Sequence, residues 1–136
     1  MKKLVSLLSL GLLLATASAY AQNIKVKANV PFSFAVAKAE LPSGEYTIQS
    51  VDLANRALMI SAAGQKSFMV LANSCSQMKP AASTKLVFHR YGDSYFLSEV
   101  WMQGHNAGHQ LLKSTREVEM AKSQRAQEVI VLAELR

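Results

Sequence analysis

The sequence is poor in cysteine, which limits how the fold can be stabilised. Cys75 is the only cysteine, so no disulfide can form within the chain and the hydrophobic core must stabilise the fold. Its neighbours, in NSCSQ, include no basic side chain that would activate the thiol. We therefore expect Cys75 to be inert, whether buried or incidentally exposed.

The sequence also lacks the common motifs of catalysis and nucleotide binding. No G-x-S-x-G, H-E-x-x-H, P-loop or G-x-G-x-x-G pattern is present. The formal net charge is +6, but the basic residues are scattered and do not form the stripe that is typical of nucleic-acid binders. These absences predict a protein that is not an enzyme, has no cofactor and has no nucleic-acid partner.

The first residues have the pattern of a secretory signal. A basic MKK is followed by the apolar run LVSLLSLGLLLAT and by ASAYA, which places small residues before a cut after Ala21. The run is shorter than the roughly 20 residues that span a bilayer, although a retained membrane anchor is the alternative. The sequence predicts a signal peptide at 1–21 and export to the periplasm or the medium.

Removing 21 of the 136 residues leaves 115, which is enough for one domain with one core, at residues 22–136. This domain contains no transmembrane segment by our prediction. The cut also removes Lys2 and Lys3, so the formal charge falls from +6 to +4.

The predicted domain is built mainly of short strands separated by turn residues. Residues 24–36 alternate between apolar and polar side chains, and Pro31 should bend them into two strands, 24–30 and 32–36. Similar patterns predict further strands at 45–51, 57–61, 66–72, 85–91, 94–102 and 128–135, and loops at 52–56, 73–84 and 104–110.

The stretch KLVFHRYGDSYFLSEVW, residues 85–101, predicts a hairpin with Gly92-Asp93 at its tip. This register pairs Arg90 with Tyr95 and His89 with Phe96. One face then carries Leu86, Phe88, Leu97 and Trp101, and the other carries Val87, His89, Phe96, Val100 and Met102. Because His89 and Arg90 point to opposite faces, they cannot act together on one substrate atom.

Ser114 and Glu117 match the S-x-x-E capping box and predict a helix over 115–124, with a strand through REVEM as the alternative. The fold class that follows is all-β: an antiparallel β-sandwich or small β-barrel of about seven to eight strands, with one short helix before the C-terminal strand. Pairing between residues 24–36 and the C-terminal strand would close a barrel.

Two groups of residues are candidate binding sites. Arg90 and Tyr95 meet at the hairpin tip and, with Trp101, could bind an apolar small molecule in a cavity of the barrel or sandwich, although such aromatic residues also fill cores. His105 and His109 have the i, i+4 spacing of metal ligands, but Gly104 and Gly108 disfavour the helix that this spacing needs.

Three patterns resemble a group of small signal-bearing hypothetical proteins of Acidobacteria. They are VPFSF from Val30, LPSGEY from Leu41, and LVFHRYGDSYFL from Leu86. The resemblance implies a bacterial, exported, all-β protein and brings no established activity. The residues therefore predict an exported, non-enzymatic domain that binds an envelope protein or serves as an envelope component, with a small carrier and a periplasmic metal binder as alternatives.

Overall fold

The structure is a computed structural model that describes residues 25–51 and 56–135. The predicted signal peptide at 1–21 and residues 52–55 of the predicted turn lie outside the described residues.

The described residues form a closed barrel of eight antiparallel strands, together with a two-stranded hairpin that extends the sheet from β8 and one helix. The strands are β1 Lys25–Val30, β2 Phe34–Val36, β3 Ala39–Leu41, β4 Gly44–Ser50, β5 Ala57–Ala62, β6 Phe68–Ser76, β7 Lys85–Tyr91, β8 Ser94–Trp101, β9 Ala107–Leu111 and β10 Gln127–Leu135, and helix α1 is Thr115–Ser123. The order around the barrel is β8-β7-β10-β1-β4-β5-β6-β9, and β9 returns to β8. The all-β prediction is confirmed, and the architecture is a barrel.

The long alternating segment is broken at Pro31, as predicted. β1 ends at Val30 and pairs with β4 and β10, whereas β2 begins at Phe34 and lies parallel to β8. Proline has no N–H to donate to a sheet, so the ladder ends there and the chain leaves one part of the wall to join another. The pairing of β1 with the C-terminal strand β10 contributes to closure of the barrel.

The hairpin has the predicted register only over its first half. Arg90 lies opposite Tyr95 and Phe88 opposite Leu97, but Val87 lies opposite Glu99, so Ser98 is an extra residue in β8. This bulge turns every later side chain to the other face. The predicted faces are therefore wrong beyond Ser98: Val100 and Met102 join the core with Phe88, and Trp101 packs in a separate cluster with Val87.

Three short pieces of strand were missed. β3 was not predicted, and the predicted loops at 73–84 and 104–110 are partly strand, because β6 continues to Ser76 and pairs with β9. Glycine, serine and asparagine have low strand propensity, but pairing with neighbours overrides propensity in a closed sheet. The helix, at Thr115–Ser123, and the last strand, at Gln127–Leu135, agree with prediction.

Side chains fill the interior of the barrel, as is usual for eight strands. The side chains with the least exposure include Val26, Leu58, Ile60, Leu86 and Phe88. Phe34 joins this core, while Phe32, Phe68 and Tyr95 pack against its edge. Most of the aromatic residues that could have lined a ligand cavity therefore fill or border the core.

Gly108→Ala should test how closely β9 approaches β8. A methyl group at Gly108 would lie 2.7 Å from the Trp101 ring and 2.9 Å from the Val100 carbonyl oxygen. We expect a loss of about 1–3 kcal/mol in the free energy of unfolding, measured by urea denaturation with circular dichroism. In a Trp101→Leu background the same change should cost less, and an equal cost in both backgrounds would refute the close contact.

Candidate functional site

A groove of about 670 Å³ lies on the outside of the barrel. It lies beside the edge of β8 that does not pair with β7, at the point where the neighbour on that edge changes from β9 to β2. Glu99 and Val100 of β8 pair with β9, but Phe96, nearer the start of β8, pairs with Ala35 of β2. The groove lies between the β2–β3 hairpin on one side and β6 on the other.

Most of the side chains that line the groove are apolar, and several of them are largely exposed to solvent. Met69 is 63% exposed, Leu71 65% and Leu112 52%, and all three line the groove. Phe96 and Leu111 are buried and also contribute to the lining. Exposed apolar patches that are bordered by polar groups are typical of binding sites.

Three cations and one carboxylate border this apolar surface: Lys38, Lys113, Arg116 and Glu40. No ion pair joins any of the cations to another described residue. The Arg116 guanidinium lies 5.7 Å from the centre of the Phe96 ring, and its Nη2 is 3.5 Å from Ser94 Oγ. The groove therefore carries three positive charges against one negative charge, and none of the three cations is in an ion pair with a described acidic side chain.

Helix α1 positions the end of the groove. Ser114 Oγ accepts the Glu117 backbone N–H at 3.2 Å, so the helix begins at Thr115 as the capping box predicts. Ser114, Thr115 and Arg116 line the groove, and Lys113 precedes them. The cap thus places a cation on each side of the helix start.

A buried carboxylate fixes this helix to the barrel. Glu117 is 3% exposed, and its Oε2 accepts the Tyr91 hydroxyl at 3.0 Å and lies 3.2 Å from His89 Nδ1. Burial, together with the hydrogen bond to Glu117 and its charge, raises the pKa of Tyr91 to about 12. Buried polar groups need such partners, so His89 and Tyr91 both contribute to fixing the first turn of the helix to β7.

The predicted ligand residues lie outside the groove and are not all together. Arg90 and Tyr95 do meet, with the guanidinium 5.5 Å from the Tyr95 ring centre, and Tyr95 stacks on Phe32 at 3.9 Å. Trp101 lies at the other end of β8, where its Nε1 donates to Glu99 Oε2 at 2.9 Å. The structure thus places Arg90 and Tyr95 in one contact and Trp101 in another.

The two candidate metal ligands lie in different surroundings. His109 is buried in β9, opposite Val100 and Ser74, whereas His105 is exposed in the preceding turn. Across the described residues, no group of three or more His, Cys, Asp or Glu side chains could hold a metal ion. The strand conformation of β9 also removes the helix on which the i, i+4 argument rests.

Cys75 is half-buried in β6, opposite Gly108. Burial is the main cause that raises its pKa, the Glu99 charge adds to it, and a hydrogen bond to the Gly108 backbone opposes it. A raised pKa leaves the thiol protonated at neutral pH, so its surroundings do not favour nucleophilic chemistry.

The basic residues of the groove were missed because nothing in the sequence connects them. Lys38 follows the bend at Pro31, whereas Lys113 and Arg116 precede and enter the helix. The Ser114–Glu117 cap was the one usable signal, since it predicts where the helix begins. It gives no information on what the helix start faces.

No protein-family model, curated protein or solved structure matches this chain. Among the residues that the structure describes, no helix has the length and apolar character to cross a membrane. The chemistry of the site therefore has to be inferred from its own geometry.

The burial of Tyr91, together with its contact with Glu117, makes stability depend on pH at the alkaline end. Because the folded state raises the Tyr91 pKa from 10.0 to about 12, the stabilisation is complete below pH 10 and is lost as pH rises from 10 to 12. The loss should be about 2 kcal/mol. Urea unfolding across this range should show a steeper decline for the wild type than for Tyr91→Phe, and equal slopes would contradict the raised pKa of Tyr91.

Proposed function

We propose that the mature chain is an exported, non-enzymatic binding domain whose binding site is the groove between the β2–β3 hairpin and β6. The observation that carries this proposal is the combination of exposed apolar side chains, Met69, Leu71 and Leu112, with nearby cations that have no acidic partner among the described residues. Export rests on the sequence pattern of residues 1–21.

The expected ligand combines an apolar part with an acidic group. The groove volume, about 670 Å³, lies within the range of roughly 300–1,000 Å³ that is common for ligand sites. Its apolar floor would exclude water, and Lys38, Lys113 and Arg116 would bind the acid through charge-assisted hydrogen bonds. The packed interior of the barrel supports a site in this groove in preference to a carrier cavity inside the barrel.

The test uses anilinonaphthalene sulfonate, a fluorescent probe that is both apolar and anionic. We expect one saturable site per chain, and an affinity at least about tenfold lower in Lys113→Gln/Arg116→Gln, since two charge-assisted contacts are lost. The matched control is Lys66→Gln/Lys79→Gln, which removes the same charge from exposed positions outside the groove. Equal weakening in both double variants, or no saturable site, would refute the proposal.

Export has its own test. Native mass spectrometry of the untagged protein from the envelope fraction should show a chain of 115 residues that begins at Gln22, allowing for cyclisation of that glutamine. A mass that retains residues 1–21 would contradict cleavage and favour a membrane anchor. Recovery from the cytoplasm alone would contradict export.

A further inference from the structure

We propose that the groove binds an extended polypeptide segment of alternating apolar and acidic residues, which adds to the edge of β6 as a new strand. This inference rests on the proposed function and names the class of its ligand. It follows from the backbone edges that border the groove and from the charges beside them.

One border is an open edge of β6. Ala72 N–H donates to the Arg56 carbonyl at 2.8 Å, which is on the β5 side of the strand. Backbone groups of successive strand residues point in opposite directions, so Met69 and Leu71 direct theirs away from β5. The pairing of β6 with β9 ends at Ala72 and Leu111, and no described strand continues it along Phe68–Leu71.

The other border is the β2–β3 hairpin. Among the described strands, β3 pairs only with β2, which leaves the second edge of Ala39–Leu41 open. Three consecutive residues of β6, 69–71, line the groove, as do the hairpin turn 37–38 and the start of β3, 39–40. Side chains of a strand alternate between two faces, so the uninterrupted run in β6 indicates that its backbone edge borders the groove.

The wall of the barrel therefore has a gap between β3 and β6, beside Phe96 of β8. Next to Glu99 and Val100, β9 connects β8 to β6. Next to Phe96, β2 and β3 extend the wall from β8 and no described strand connects β3 to β6. Open strand edges are the surfaces to which extended peptides add, and the new backbone hydrogen bonds supply affinity.

The side chains around the gap set the pattern of the peptide. Side chains that point inward from an added strand would meet the buried Val70 and Leu111. Those that point outward would lie beside the exposed Met69 and Leu71 of β6 and face the cations Lys38, Lys113 and Arg116. Glutamate suits this outer face, because its aliphatic stem can cover Met69 and Leu71 while its carboxylate reaches a cation, and an apolar residue suits the inner face. A second copy of this chain is a poorer occupant, because its formal charge after the cut, +4, would be repelled by the groove.

The experiment compares capped hexapeptides by isothermal titration calorimetry on the mature protein. A peptide that alternates valine and glutamate should bind, and one that alternates valine and lysine should bind at least about tenfold more weakly. Every second amide of the valine–glutamate peptide can be N-methylated in two ways, starting from the first or from the second amide. One of these two methylated peptides should bind at least about tenfold more weakly, because it lacks the N–H groups that pair with β6. Lys113→Gln/Arg116→Gln should weaken binding, whereas Lys66→Gln/Lys79→Gln should not.

A backbone measurement accompanies the titration. Addition of a strand should slow amide hydrogen exchange at Met69 and Leu71 when the valine–glutamate peptide saturates the protein. Exchange that stays unchanged at these two amides, or affinity that survives both patterns of N-methylation, would overturn strand addition.

The outcomes separate this inference from the function on which it rests. If the fluorescent probe binds in the groove and neither peptide does, the groove remains a binding site and the peptide inference is refuted. Dodecanoate is titrated in the same way as a small amphiphile, and binding of dodecanoate with no binding of either peptide would assign the groove to small amphiphiles. Self-association in sedimentation experiments would assign the groove to a second copy if Leu71→Ser abolishes it and Lys113→Gln/Arg116→Gln does not. Each of these results would overturn the inference.

Discussion

The shared second edge of β8 is the constraint on which the barrel and the groove both depend. One edge of β8 pairs with β7 along its length, but the other is divided between β9, at Glu99 and Val100, and β2, at Phe96. Of these two strands, only β9 also pairs with β6 among the described residues. The barrel closes through β9, and the wall remains open beside β2 and β3. The groove is thus a consequence of the strand topology.

The helix completes this arrangement through one carboxylate oxygen. Glu117 Oε2 receives the Tyr91 hydroxyl and contacts His89, so the first turn of α1 is attached to β7 where β7 pairs with β8. Leaving such a carboxylate buried without partners would cost several kcal/mol. The same turn carries Arg116 to the groove, and the outer cluster of Ala35, Tyr91 and Phe96 packs beneath it. The contacts that fix the helix therefore also fix one side of the site.

The sequence was sufficient to predict the structural elements whose signal is local. Alternation in residues 25–30, the Gly92-Asp93 turn and the Ser114–Glu117 cap each depend on neighbours in the chain, and the structure agrees with all three. The faces of β8 beyond Ser98 could not be predicted, because a bulge depends on the partner strand. β9 was missed for a related reason: Gly108 is unfavourable for an isolated strand, but it is the residue that fits against the Trp101 ring. The groove depends on both the course of β8 and the position of β9, so local sequence patterns could not predict it.

Open strand edges usually invite aggregation, and natural proteins often protect them with charged side chains, lysine above all. Lys38 lies beside the open edge of β3, and Lys113 and Arg116 lie at the end of the groove near β6. These cations repel the matching cations of another copy. The repulsion acts over roughly the Debye length, about 8 Å at physiological salt. They attract an acidic strand over the same distance. In the proposed function, protection of the edges and selection of the ligand rest on the same three side chains, and protection by charge is one reason why an apolar groove of this size can remain exposed.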